Sequence, residues 1–330
     1  MRPVAGFRIP GAAQAALAAA ALVLLALAPL QLNSYRTGQL TSTLVFATVL
    51  IGLNLATGFA GIISLGHGAL FAMGAYTTAV LAHHYGWPYL ATLPVAVLST
   101  MALGLVLGVP TLRLRGLYLA LVTVGVAICA VPFFKRFEWL GASQGLPTPP
   151  VQAPFGLQAE QWVYYVALFF AAAGLVLARN LVRSGVGRAV RAASVNELAA
   201  STYGVNIAWY RLLVFVISAG YAGLAGGIQT MHVGFVSPDS FPLALSLTFF
   251  IGVVVGGLGS VVGPLLGAVF IQYVPVWSGE IDPSLSGIVY GVVLIVVLLA
   301  APEGAASIGP RLVAAFDKRP LAERAEPRTS

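Results

Sequence analysis

Arg179-Asn-Leu-Val-Arg-Ser-Gly-Val-Gly-Arg-Ala-Val-Arg-Ala-Ala-Ser-Val-Asn-Glu-Leu-Ala-Ala-Ser-Thr-Tyr-Gly-Val-Asn-Ile-Ala-Trp-Tyr210 is a long polar interruption in an otherwise apolar chain. The whole sequence of 330 residues is 59% hydrophobic and 8% charged, against about 25% charged in an ordinary soluble domain. So few charges cannot clothe a water-facing surface. The chain is expected to be an all-α, polytopic membrane protein. Its 37 glycines, a liability in soluble helices, let helices approach closely in lipid.

Runs of low charge place about ten spans, near 11–32, 40–58, 60–82, 88–109, 117–136, 162–181, 210–230, 242–258, 260–278 and 285–301. With the amino terminus in the cytoplasm, 14 of the 17 basic residues fall inside, leaving Arg36, Lys135 and Arg136 outside. That is the direction of the positive-inside rule, and it puts both termini and the Arg179–Tyr210 connection in the cytoplasm. The expected division is an amino-terminal segment and first span (1–39), a transmembrane domain (40–302) with its main cytoplasmic loop at 183–209, and a charged tail (303–330) of disordered composition. Ala26-Leu27-Ala28 resembles a signal-peptide cleavage site, but Pro29 follows and the apolar run continues to Leu32, so retention is expected. The longest outer loop, 137–161, carries Pro147, Pro149, Pro150 and Pro154 and is expected to be extended rather than helical.

Composition also excludes functions. The single cysteine, Cys129, has no partner for a disulfide or a thiolate metal site. No Gly-x-x-x-x-Gly-Lys-[Ser/Thr] phosphate loop and no metal-ligand spacing is present, so the chain has no ATP-hydrolysing site of that kind and calls for no cofactor. Carboxylates are missing from the span centres, against a carboxylate-driven ion-coupled carrier and against an integral membrane enzyme. The net charge of +7 is accounted for by topology and implies no nucleic acid.

The positive signals are three. Small residues recur four apart in Ser64, Gly68 and Ala72, in Ala219, Gly223 and Gly227, and in Gly259, Gly263 and Gly267, as close helix packing requires; Pro264 marks a kink or start in the last row. Asn54 and His67 flank Thr57–Gly68, expected as a helix break whose free backbone groups line a cavity; a translocation path would then run by Asn54, Ser64, His67, Gly68 and Tyr76. Ser194-Val-Asn-Glu197 fits a capping box, and Leu198, Ala199 and Ala200 with Gly204 as stop make a short helix. A two-turn helix is marginal alone in water and needs a surface to dock on.

Five segments then carry a resemblance: Gly58–Tyr76, Leu112–Thr123, Gly187–Gly204, Gly234–Phe241 and Gly256–Gly267. In this order they are similar to permease subunits of branched-chain amino acid ABC importers, and to the LivM type most of all, from about Leu40 to Pro302. Urea and short-chain amide permeases share much of the pattern, and a stand-alone transporter using Asn54, His67 and the broken backbone is the reading from another class. The resemblance implies an importer permease of the bacterial inner membrane for hydrophobic amino acids. Its implied partners are a second similar permease, two cytoplasmic ATPases that bind the ATP, and a periplasmic substrate-binding protein. It also implies that Asn196–Gly204 is a coupling helix seated on an ATPase, which draws in Glu197, Leu198, Ala199, Ala200, Gly204, Arg188 and Arg191. The sequence departs from the family pattern in two stretches. Glu197 stands one residue early in the Glu-Ala-Ala…Gly signature, and Leu140 and Ala142 replace residues of a Thr-Gly-Gly-type stretch.

Overall fold

The computed structural model describes residues 20, 23–111, 117–154, 156–281, 286–300 and 304–305. All but 304–305 of the charged tail and the basic Arg113 and Arg115 lie outside the described residues, as does half of the first expected span. Its last part, 23–31, is helical (α1). It is fastened to the chain by Tyr164 Oη donating to Leu25 O (2.7 Å), Tyr165 Oη to Ala26 O (3.1 Å) and Gln161 Nε2 to Pro29 O (3.2 Å).

Eleven further helices follow: α2 Ser34–Asn54, α3 His67–Tyr85, α4 Tyr89–Thr111, α5 Leu117–Arg136, α6 Ala159–Arg183, α7 Gly185–Val195, α8 Glu197–Thr202, α9 Ile207–Val233, α10 Leu243–Gly256, α11 Gly263–Ile281 and α12 Ser286–Ala300. Six segments of the described residues are long and apolar enough to cross a membrane: Ser34–Phe59, Tyr89–Val109, Tyr118–Arg136, Ala159–Arg183, Ile207–Val233 and Pro238–Gly256. The structure thus establishes a polytopic helical protein. Helices α3, α11 and α12 occupy further positions where spans are expected.

Helix α9 is the axle of the fold, packed along α2, α3 and α4. Glycine makes this possible. A Cβ on Gly74 of α3 would overlap the Gly223 backbone, one on Gly226 would overlap Phe71 O, and one on Gly223 would overlap Thr100 Oγ1. With lipid as apolar as leucine, packing attraction and interhelical hydrogen bonds hold such helices together. One such bond joins Thr230 Oγ1 on α9 to Ala75 O on α3 at 3.0 Å. Most buried hydroxyls instead bond back within their own helix, as Thr41, Thr48 and Thr100 do, whereas those of Thr57, Tyr76 and Thr78 are buried without a hydrogen-bond partner among the described residues.

Several boundaries correct the sequence reading. The span expected from 60 begins only at His67, because Leu55–Phe59 winds as a π-turn and the backbone reverses at Gly61 (φ +67°) and stays non-helical to Gly66. Gly259 does not share a helix face with Gly263 and Gly267. It sits in the turn before α11 at φ +73°, while Gly263 opens the helix and Gly267 packs on Gly252 O. Pro264 lies in the first helical turn, where its missing N–H costs nothing. The proline-rich 137–161 connection departs from extended backbone at the 3-10 turn Glu138–Leu140 and where α6 begins at Ala159, while its Leu146–Pro147 (β1) is extended and pairs antiparallel with Phe235–Val236 (β2), Leu146 opposite Val236. Nearby, Lys135 Nζ reaches Asp239 Oδ1 at 2.7 Å. Gly234, at φ +72°, ends α9 so that β2 can turn back.

Candidate functional site

The polar connection from Arg179 to Tyr210 folds as two helices, where the sequence reading expected one. Gly187 is needed where α6 turns into α7, since a Cβ there would overlap Val182 O. Along α7, Val190 and Ala193 are buried while Arg188 and Arg191 are turned outward. The cap is also displaced. Ser194 belongs to α7, its Oγ donating to Arg191 O at 2.9 Å. Asn196 is the residue that starts α8, its Oδ1 accepting from Ala199 N–H at 3.1 Å. Glu197 is therefore the first residue of α8 and not the distal half of a capping box.

The two arginines singled out in this loop bind their own chain. Arg188 Nη1 donates to Arg183 O (3.1 Å), and the Arg191 guanidinium lies 4.9 Å above the Phe59 ring, a cation–π contact onto the π-turn that precedes the break. Glu197 does likewise: Arg211 Nη2, in the second turn of α9, donates to Glu197 Oε1 at 2.5 Å. Beside the polar Ser201 and Thr202, α8 and its end leave large apolar side chains open. Leu198 is 80% and Tyr203 88% exposed, whereas Ala200 is buried, Ala199 is exposed, and Gly204 (φ +78°) makes the turn towards α9.

At the other end of these contacts lies a buried polar node. His67 is fully buried, with Nδ1 3.0 Å from Ser64 Oγ and Nε2 2.7 Å from Ser218 Oγ. Ser218 donates its own proton to Gly52 O at 2.6 Å. Ser218 can then only accept from His67, which fixes the neutral Nε2–H tautomer with Ser64 donating to Nδ1. Two residues beyond Gly52, Asn54 clasps the loop before α11, its Nδ2 donating to Ser260 O (2.6 Å) and its Oδ1 accepting from Gly259 N–H (3.0 Å). Gly68 N–H donates to Ser246 Oγ on α10 at 3.0 Å. The break is thus stitched to α9, α10 and α11 by side chains far apart in sequence.

Asn54, Ser64, His67, Gly68 and Tyr76 are all buried against their own chain. Tyr76 lies apart from the node, stacked on Phe134 with ring centres 4.2 Å apart. None of the five lines the cavities that the structure describes. Among these are a cleft of about 850 Å³ under Trp87, Tyr89, Pro149 and Trp162, a lateral groove of about 540 Å³ between α4, α6 and α9, an open hollow of about 380 Å³ along α6 at Tyr165 and Phe169, and an aromatic cavity of about 190 Å³ formed by Phe46, Phe71, Gln229 and Phe241. Sequence reading did not single out Ser218 or Arg211 as site residues. Arg211 entered only as one of the 14 inner basic residues, and nothing in the pattern marked a serine on a small-residue face as a histidine partner.

A family profile described as the branched-chain amino acid transport system / permease component matches residues 35–298. The chain is 32% identical over 314 residues to the high-affinity branched-chain amino acid transport system permease protein LivM of Escherichia coli (strain K12), covering 86% of this chain and 73% of that protein. Over 269 residues it is 29% identical to the autoinducer 2 import system permease protein LsrC of Salmonella choleraesuis, covering 77% of this chain and 75% of that one. It is 25% identical over 291 residues to the branched-chain permease protein BraD of Pseudomonas aeruginosa, covering 80% and 92%. No solved structure matches. With the profile spanning most of the chain, and LivM-type relatives aligned over more than two thirds of their length, this protein belongs to the branched-chain amino acid transport permease family.

Proposed function

We propose that this chain is the transmembrane subunit of an ATP-driven importer of branched-chain or other hydrophobic amino acids in the bacterial inner membrane, and that it moves its solute without altering it. Ten crossings with both termini in the cytoplasm are supported by the 14 to 3 distribution of basic residues, with 40–302 as the transport domain. On this reading the partners are a second similar permease, a pair of cytoplasmic ATPases that hold the ATP, and a periplasmic binding protein that delivers the solute. The non-helical segment between α2 and α3 borders the path. Asn54, Ser64, His67 and Gly68 hold that segment from behind, and Tyr76 braces the wall nearer the periplasm.

The observation that carries the reading is α8. A six-residue helix with its own asparagine cap presents Leu198 and Tyr203 almost fully exposed on the polar side of an apolar bundle. Exposed apolar side chains on a polar connection mark a surface that another protein covers. An ATPase groove closing and opening there would switch the bundle between outward-facing and inward-facing states. The test is Leu198→Asp and Tyr203→Asp in the assembled complex. Neither residue packs in the bundle, so the permease itself should fold and insert normally. Loss of the ATPases on purification, with loss of uptake, is the expected outcome; ATPases retained at full occupancy and unchanged uptake of leucine would refute the docking.

A further inference from the structure

Helix α8 is joined to α9 at both ends, once by the chain and once by a side-chain pair. The chain link, Tyr203–Asn206, turns through Gly204 at φ +78°, and a short turn of this kind can bend as a hinge. The second link is the Arg211–Glu197 ion pair at 2.5 Å, which joins the first residue of α8 to the second turn of α9. Both side chains are about a quarter to a third exposed, at 25% and 32%. The Nε atom of Arg211 is buried without a hydrogen-bond partner among the described residues, so the guanidinium is held in place at the expense of one of its donors. Together the two links close a triangle that cannot hinge while the pair is made.

The downstream geometry gives the triangle something to act on. From Arg211, α9 continues seven residues, about 10 Å of helix, to Ser218, whose hydroxyl meets both His67 at the start of α3 and Gly52 on α2. In parallel, Arg191 of α7 sits over Phe59 in the π-turn. A displacement of α7–α8 therefore reaches both sides of the α2–α3 break.

We infer that Glu197 and Arg211 form a positioning pair that makes α8 and the start of α9 move as one rigid piece, and that Glu197 works on its own chain, not on an ATPase. This rests on the reading of α8 as the ATPase-docked helix. A partly exposed ion pair contributes little to stability, so its loss leaves the fold intact and loosens the transmission.

The experiment uses the complete complex in proteoliposomes with Glu197→Gln, Arg211→Gln, and the exchange Glu197→Arg with Arg211→Glu. Bound ATPase, ATP hydrolysis and solute moved per ATP are read separately. In the single variants the ATPases stay bound and hydrolysis continues, while solute per ATP falls about 3- to 30-fold, the range of a modest coupling energy; the exchange recovers most of it. Unchanged solute per ATP in both single variants overturns the inference, as does an exchange no better than either. Loss of bound ATPase in Glu197→Gln also overturns it, because Glu197 would then be a docking residue. Failure of the docking reading itself shows elsewhere, as Leu198→Asp that keeps its ATPase.

Discussion

His67 Nε2 lies 2.7 Å from Ser218 Oγ across 151 residues of sequence, and Ser218 is at the same time the donor to Gly52 O. Three helices meet through one hydroxyl in an interior where no water-like solvent competes. Ser218→Ala would strand one histidine nitrogen, whichever tautomer the ring adopted, and would leave Gly52 O with only its bond from Leu55 N–H. Each unsatisfied buried group costs about 1–3 kcal/mol. The expected outcome is a clear fall in the melting temperature of the detergent-purified protein, while Ser99→Ala, in which the hydroxyl touches Thr77 and its own helix, changes it little. Equal effects from the two would show that the node has no special structural weight.

Asn54 offers a sharper version of the same argument. Its donor faces Ser260 O and its acceptor faces Gly259 N–H, so the side chain must be an amide. Asn54→Asp keeps shape and acceptor but sets two oxygens against each other at 2.6 Å. It should therefore destabilise the protein more than Asn54→Ala, although it is the closer isostere. Thermal melting of both variants decides; an aspartate variant as stable as wild type would mean that the clasp is not formed.

How far these relationships were legible depends on their range. Helix breaks and packing faces are local and could be read, as at Thr57–Gly68 and in the Ala219, Gly223, Gly227 row. The partner of His67 could not, since no periodicity connects α3 to one serine on α9. Helix α7 was hidden for a different reason: Gly185 and Gly187 are poor helix formers, although Val186, Val190 and Ala193 recur at helical spacing and trace its apolar face. The displaced glutamate, visible as a departure from the family signature, acquired a physical meaning only when Arg211 was found beside it. The β1–β2 pairing spans two residues on each side, too short for any strand pattern.

The second departure from the family pattern gives a prediction about strain. Ala142 has φ +44°, the one described residue other than glycine with positive φ, and it stands where the family's Thr-Gly-Gly-type stretch differs. A left-handed alanine costs about 1–2 kcal/mol, whereas a glycine there loses about 0.4–1 kcal/mol through its freer unfolded chain. The strain is the larger quantity. Ala142→Gly should stabilise the protein by about 0.5–1 kcal/mol, seen as a raised melting temperature. A lowered one would argue that Ala142 adopts an ordinary right-handed conformation.

Two glycines at helix centres predict opposite signs for the same substitution. Gly74 faces Gly223 so closely that an added Cβ would overlap the carbonyl oxygen and Cα of the opposing backbone, which cannot rotate away as a side chain would. Accommodating it means parting α3 from α9, which also loosens the contact of Gly226 with Phe71 and the Thr230–Ala75 hydrogen bond. Overpacking of this kind costs about 1–3 kcal/mol. Gly125 in α5 has nothing within 4 Å of its would-be Cβ, so alanine there gains helix propensity of up to about 1 kcal/mol without a clash. Gly74→Ala should therefore lower both the yield of membrane-inserted protein and its melting temperature, and Gly125→Ala should hold or raise them. If Gly125→Ala preserves melting but reduces uptake in the assembled complex, the empty space beside it is filled by a partner subunit; if Gly74→Ala is harmless, α3 and α9 are further apart than the structure places them.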